Sequence, residues 1–264
     1  MIHLRSISIR QQQAETGLYP FNLPLIQQFG ELSLESPMVV FVGENGSGKS
    51  TVLEAVAAAI GLPAVGGHTV DNDPTLVAAR ELSQVMRLAW NRKTRRGFFL
   101  RAEDFFNFAR KMNDTRREMD ALLQEYDGKE GIGWDIARGA IAGQRDGIVK
   151  RYGENLDARS HGESFLELFQ SRFVPNGLYL LDEPEAPLSP QRQLALISMM
   201  KEMVEEQSSQ FIMATHSPIL MGFPGAQIVS FDDLPPCAIE YEETEHVRLT
   251  RNFLSDREAF LRHL

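Results

Sequence analysis

The sequence predicts a three-layer α/β fold, a mostly parallel sheet held between helices, and three stretches carry that expectation. Met38-Val39-Val40-Phe41-Val42 is an unbroken apolar run that enters Gly43-Glu44-Asn45-Gly46-Ser47-Gly48-Lys49-Ser50-Thr51. A helix-like pattern follows and stops at Gly61-Leu62-Pro63. Two more short apolar runs, Gly177–Leu181 and Phe211–Ala214, close on Asp182-Glu183-Pro184 and on Thr215-His216-Ser217-Pro218. Strands buried on both faces read as such runs, and open sheets of this kind bind ligands at the carboxyl ends of their strands.

The remaining elements follow in chain order. Leu4–Ile9 alternates like a strand, with Glu31–Leu34 as its expected partner. Tyr19 or Phe21, flanking Pro20, offers an aromatic face for a base, or simple packing. Residues 76–96 are expected to be helical, on the spacing of Leu76, Val77, Leu82, Val85, Met86 and Leu88. Gly97–Glu103 is a further candidate strand. From Asp104 to Gln144 the chain is charged, with Phe105, Phe108, Met112, Met119, Leu122 and Leu123 at helical spacing. This marks a helical subdomain over residues 104–160, inserted in a single domain of residues 1–264. Gly128, Gly131, Gly133, Gly139, Gly143 and Gly147 are expected to make the stretch before Ser160 mobile. Pro190–Glu206 reads as a helix, and Ala226–Phe231 and Ala238–Tyr241 as strands. Ser255-Asp256-Arg257-Glu258 reads as a capping box opening a final helix, Ala259–His263.

The chemistry sits at the ends of these elements. Gly43–Thr51 fits G-x-x-x-x-G-K-[ST] between a strand and a helix, a loop whose backbone N–H groups can turn inward around a phosphate chain. Lys49 would supply charge to the β- and γ-phosphates, and Ser50 a hydroxyl ligand for Mg²⁺. Asp182 would reach the same Mg²⁺ through water, and Glu183 is placed to polarise an attacking water; Asp-Glu-Pro is equally good turn chemistry. His216 can hydrogen-bond a γ-phosphate or position the water, or cap a turn. Ser160-His161-Gly162-Glu163-Ser164 opens an apolar helical pattern, and its hydroxyl and glycine make either an ordinary cap or a second anion site. As a second site it makes most sense gripping the nucleotide of another subunit.

Taken in order, these segments resemble the ABC-type ATPase superfamily, over roughly residues 1–220. Gly43–Thr51 matches its Walker A motif, Ser160–Glu163 a variant of its signature motif, and Leu178–Glu183 its Walker B motif. Ala186–Ser189 falls at the D-loop position and His216 at the switch histidine. More narrowly, the chain is similar to the stand-alone bacterial AAA/ABC-type ATPases, relatives of the RecF and SMC ATPases. The resemblance implies a P-loop NTPase with an ABC-ATPase-type head, an N-terminal β subdomain and a short helical subdomain. It implies ATP and Mg²⁺ as ligands, and an ATP-dependent homodimer joined head to tail. Gly43, Glu44, Asn45, Gly46, Ser47, Gly48, Lys49, Ser50 and Thr51 of one subunit and Ser160 and Gly162 of the other would bind the nucleotide. Lys49, Glu183 and His216 would act in hydrolysis, and Ser50 and Asp182 would hold the metal. The implied role is in DNA maintenance, repair or defence with a protein effector; the alternative is the nucleotide-binding subunit of an ABC membrane transporter.

The chain departs from the family pattern at several positions. His161 and Glu163 replace the glycine and glutamine of transporter signatures, and Ser189 the usual D-loop aspartate. The strand Gly97–Glu103 has no glutamine at its end; Arg101 or Glu103 stands in for it. In transporter subunits that loop couples to the membrane protein, which disfavours the transporter reading.

Composition agrees with one catalytic domain. A chain of 264 residues with 43% apolar content can bury a substantial core. A single cysteine, Cys237, permits no internal disulfide, and Glu54 and Gly61 interrupt the longest apolar stretch, so a cytoplasmic protein without membrane insertion is expected. The formal charge of −9 gives no general pull toward nucleic acid. Arg87–Arg96, a basic run around Trp90, could track a phosphate backbone or be a solvated helix end plus turn.

Overall fold

A computed structural model describes residues 1–10, 18–65, 76–152 and 161–262. In chain order the strands are β1 (Leu4–Ile9), β2 (Glu31–Ser33), β3 (Met38–Val42), β4 (Met86–Trp90), β5 (Gly97–Arg101), β6 (Leu178–Asp182), β7 (Gln210–Ala214), β8 (Gln227–Ser230) and β9 (Cys237–Ala238). The helices are α1 (Pro24–Gln28), α2 (Lys49–Ile60), α3 (Val77–Val85), α4 (Ala102–Glu125), α5 (Ile132–Tyr152), α6 (His161–Arg172), α7 (Pro190–Glu205), α8 (Pro218–Met221), α9 (Glu245–Ser255) and α10 (Arg257–Leu261).

The central sheet has the order β5-β6-β7-β3-β8-β9, parallel except where β9 turns back along β8. Every residue of β3, β6 and β7 is buried, which is why these strands read as continuous apolar runs. Alternation still decides which face each side chain serves. Val39 and Phe41 pack with Val52, Leu53 and Val56 of α2 and with Leu4 and Ile7 of β1. Met38, Val40 and Val42 join Phe165 and Phe169 of α6 and Leu196 and Met200 of α7. Helices on both faces of one sheet give the three-layer α/β architecture. Burying each of these large side chains contributes about 1.5–3 kcal/mol. On the second face Phe98, Phe169, Phe173, Tyr179 and Phe211 form a continuous ring cluster, with Phe173 and Tyr179 edge to face at 4.9 Å.

A smaller antiparallel sheet, ordered β2-β1-β4, caps the first face. The pairing of Leu4–Ile9 with Glu31–Ser33 is as expected. The helix expected over residues 76–96 is not: it ends at Val85, and Met86–Trp90 continues as β4 alongside β1. Met86, Leu88 and Trp90 recur at period two, and β1 supplies a ladder for their backbone, which outweighs a weak helical pattern. Arg87 is therefore on an edge strand, not a helix end, and Arg92, Lys93, Arg95 and Arg96 are exposed in the loop to β5.

Two further expectations are corrected at the level of local structure. The glycines expected to make the chain mobile include Gly133, Gly139, Gly143 and Gly147, which lie inside the continuous helix α5. That helix runs beside α4, with Arg145 donating to Asp120 at 2.7 Å, and tertiary packing of this kind overrides propensity. At the other end, Ser255 closes α9, and Asp256 is the cap of α10, its carboxylate accepting from the Ala259 N–H at 3.0 Å. The strand expected over 238–241 ends at Ala238, and Tyr241–Glu243 forms a 3-10 turn.

Candidate functional site

β3, β6, β7 and β8 are parallel, so their carboxyl ends open on one edge of the sheet, and the polar residues after them meet there. Gly43 leaves β3 at φ +144°, and a Cβ on it would lie 2.9 Å from Asp232 Oδ1. Asp232 follows β8, and the same oxygen accepts the Glu44 N–H at 2.7 Å. Gly48, at φ +95°, opens α2 where a Cβ would run into Leu25 at 2.4 Å. Only glycine fits this cradle.

Lys49 turns back over the loop and donates to the carbonyls of Gly43 and Glu44, both at 2.7 Å. Burial lowers its pKa, against the opposing fields of Asp232, Glu183, Asp182 and Glu185. Ser50 Oγ donates to Asp182 Oδ1 at 3.0 Å across 132 residues of chain. Burial pushes the Asp182 carboxyl up to about 7, and Glu54 and Glu183 push the same way against the Ser50 hydrogen bond and Arg101. Glu183 has φ +48°, a left-handed backbone that costs a side-chain-bearing residue energy, and its N–H donates to Ala214 O at 2.9 Å. The kink carries its half-exposed carboxylate off the strand toward His216, whose Nε2 lies 3.8 Å from Glu183 Oε1.

A cavity of 330 Å³ is lined by Tyr19, Asn45, Gly46, Gly48, Lys49, Ser50, Thr51, Glu183 and His216, with Leu23. A second, of 250 Å³, adjoins it between Ser50, Glu54, Arg101, Ala102, Asp182 and Glu183. Lys49, Ser50, Asp182, Glu183 and His216 are thus brought together. Gly162 is buried in the first turn of α6, where a Cβ would lie 3.0 Å from Pro187 O and 2.7 Å from Arg192 Cδ. Among the described residues it lines neither cavity. Ser160 lies outside the described residues. Of the two aromatics considered for a base, Tyr19 lies at the loop, its hydroxyl 3.4 Å from Thr51 Oγ1, whereas Phe21 is buried in the core and presents no face.

Four participants were not anticipated. Asp232 braces the loop, and its signal was a strand ending on acids at the same edge as the others. Glu54 pairs with Arg101 at 3.3 Å, and Arg101 also binds Asp104 through Nε at 2.8 Å, so β5 ends in a buried ion-paired cluster beside Asp182. Glu185 accepts the His216 N–H at 2.8 Å, and burial raises its pKa. His246, on α9, places Nε2 2.8 Å from His216 Nδ1. No local pattern marks Glu54, Glu185 or His246.

Residues 22–156, more than half of the 264, match the family model described as an AAA domain. The chain belongs to the AAA domain family. A second model, described as an AAA ATPase domain, matches residues 164–221, the stretch that holds Asp182, Glu183 and His216. This AAA domain is also similar to the lipoprotein-releasing system ATP-binding protein LolD 1 of Chlorobium luteolum, 24% identical over 201 residues, covering 76% of this chain and 83% of that one. Among solved structures, a nucleotide-free ATP-binding cassette from an ABC transporter is 16% identical, with a TM-score of 0.48 over 97% of this chain and 96% of that one. The SMC head domain from Thermotoga maritima is 16% identical, with a TM-score of 0.45 over 90% of this chain and 100% of its own. Among the described residues no helix is long and apolar enough to cross a membrane.

Proposed function

We propose that this AAA domain binds Mg·ATP, hydrolyses it to ADP and phosphate, and does so as a head-to-tail homodimer. The observation that carries the reading is the convergence of Lys49, Ser50, Asp182, Glu183 and His216 at one end of one sheet, around a loop where a Cβ at Gly43 or Gly48 would collide. The loop N–H groups and the N-terminus of α2 suit a phosphate chain, with Lys49 as its cation. Ser50 and Asp182 are hard oxygen donors 3.0 Å apart, which fits Mg²⁺. The metal would neutralise charge on the phosphates.

Glu183 would accept a proton from a water whose oxygen attacks the γ-phosphorus. The bond to the β–γ bridging oxygen breaks, and its electron pair leaves with ADP. His216 would steady the γ-phosphate or the water. Lys49 and the loop amides meet the charge that develops, so most of the acceleration is positioning and electrostatics. Ser160 and Gly162 would close the site from the partner subunit. Residues 104–160 would form a helical insertion within a single domain of residues 1–264.

For the process driven, we favour DNA maintenance, repair or defence together with a protein effector, in a cytoplasmic setting. The likeness to LolD 1 favours a second reading, the nucleotide-binding subunit of a membrane transporter. Against it, β5 ends on Arg101, locked to Glu54 and Asp104, where a coupling glutamine is needed. Calorimetry tests nucleotide binding: the parent should bind Mg·ATP and Lys49→Ala should not, and equal affinities would refute the site. Phosphate release measured with and without duplex DNA then separates the two roles, since a transporter subunit should not respond to DNA.

A further inference from the structure

His216 is held at both edges of its ring. Its Nδ1 lies 2.8 Å from His246 Nε2, with the ring centroids 4.9 Å apart. Its Nε2 faces Glu183 Oε1 at 3.8 Å, and its backbone N–H donates to Glu185 Oε1 at 2.8 Å. His246 is itself fixed. It stands in the first turn of α9, between Glu245 and the buried Val247. The chain before it is tied down by Thr244 Oγ1 donating to Tyr241 O at 2.8 Å and by the Tyr241 hydroxyl donating to Pro218 O at 3.1 Å, close to His216 in sequence.

Proton placement follows from this geometry. A nitrogen–nitrogen hydrogen bond holds one proton, so one ring donates and the other accepts. Beside the Glu183 carboxylate an N–H is favoured over a lone pair, which places the proton of a neutral His216 on Nε2. Its Nδ1 is then bare and must accept. Burial, with Lys49 and His246, lowers the His216 pKa against the pull of Glu183 and Asp232, in keeping with a neutral ring.

We propose that His246 is a positioning residue that donates its Nε2–H to His216 Nδ1 and so fixes His216 as the Nε2–H tautomer, aimed at the γ-phosphate side of the site. The catalytic consequence rests on the ATPase reading above, whereas the tautomer does not. α9 becomes part of the hydrolytic apparatus, although no motif lies on it.

Two readouts on the full chain test this. The first is a two-bond ¹⁵N–¹H correlation spectrum of histidine-labelled protein without nucleotide. It should show His216 and His246 each carrying its proton on Nε2 in the parent, the arrangement in which His246 donates to a bare His216 Nδ1. The second is steady-state ATP hydrolysis. His246→Phe should lower kcat about 10-fold, the scale of one orienting hydrogen bond, with KM for ATP within about 2-fold of the parent. His246→Gln, whose amide can still donate at that reach, should recover kcat. If His246→Phe does not fold as the parent does by circular dichroism, His246→Asn, too short to reach Nδ1, takes its place. A proton on His216 Nδ1 in the parent, or an unchanged kcat in His246→Phe, overturns the proposal. Glu183→Gln is the control: if it turns over like the parent, the ATPase reading fails, and the spectrum still decides the tautomer. If it is inactive while the His246 variants match the parent, this inference alone fails.

Discussion

The Ser50 hydroxyl donates to Asp182 Oδ1 at 3.0 Å, and this bond ties the first turn of α2 to the last residue of β6. It joins the phosphate loop to the carboxylate that would serve the metal. It does not compensate the burial of that carboxylate, which keeps its proton up to about 7.

Metal-free stability should therefore depend on pH. The unfolded chain releases the Asp182 proton near 3.8, the folded chain at about 7. This group's contribution is fully present below the lower value and is lost as pH rises through the upper one. Asp182→Asn keeps the shape and removes the buried charge. At about pH 8 in EDTA it should melt above the parent by roughly 2–4 °C, the equivalent of about 1 kcal/mol, while losing Mg²⁺-dependent hydrolysis. A variant melting below the parent would contradict the burial argument.

Glu183 separates catalysis from stability in a different way. At φ +48° its backbone is strained, and glycine would relieve the strain. Glu183→Gly should unfold at higher urea, by about 1 kcal/mol, and be inactive. A loss of stability would show that the side chain holds the kink, rather than the reverse.

Gly162 tests packing as much as the dimer. Any side chain there meets the Pro187 carbonyl and Arg192, so Gly162→Asp should destabilise the chain it is in, by about 1–3 kcal/mol. Action across the interface is better probed at Ser160. Ser160→Asp and Lys49→Ala should each be inactive, and mixing them should recover part of the hydrolysis, because a heterodimer holds one site with both halves intact. No recovery, with both variants folded, would count against the head-to-tail arrangement.

The central sheet and most of its site could be read from residue order. Parallel strands buried on both faces leave continuous apolar runs, and their carboxyl ends collect Lys49, Ser50, Asp182, Glu183 and His216 by topology alone. What escaped depends on pairing. β4 looked helical because its ladder partner, β1, comes from a distant part of the chain. α5 looked broken because glycine lowers helix propensity, yet the helix is continuous beside α4. His246 escaped because its role exists only where α9 folds back onto β7's end, and a lone histidine carries no pattern of its own.

Phosphate release from purified protein with Mg·ATP tests the central claim most directly, with the parent measured beside Glu183→Gln under one set of conditions. The parent should show saturable turnover. The variant should lose about 10²–10⁴-fold, with nucleotide binding retained and a nucleotide-dependent dimer accumulating in light scattering. Equal turnover by the two proteins, or none by a parent that binds Mg·ATP, would contradict the claim.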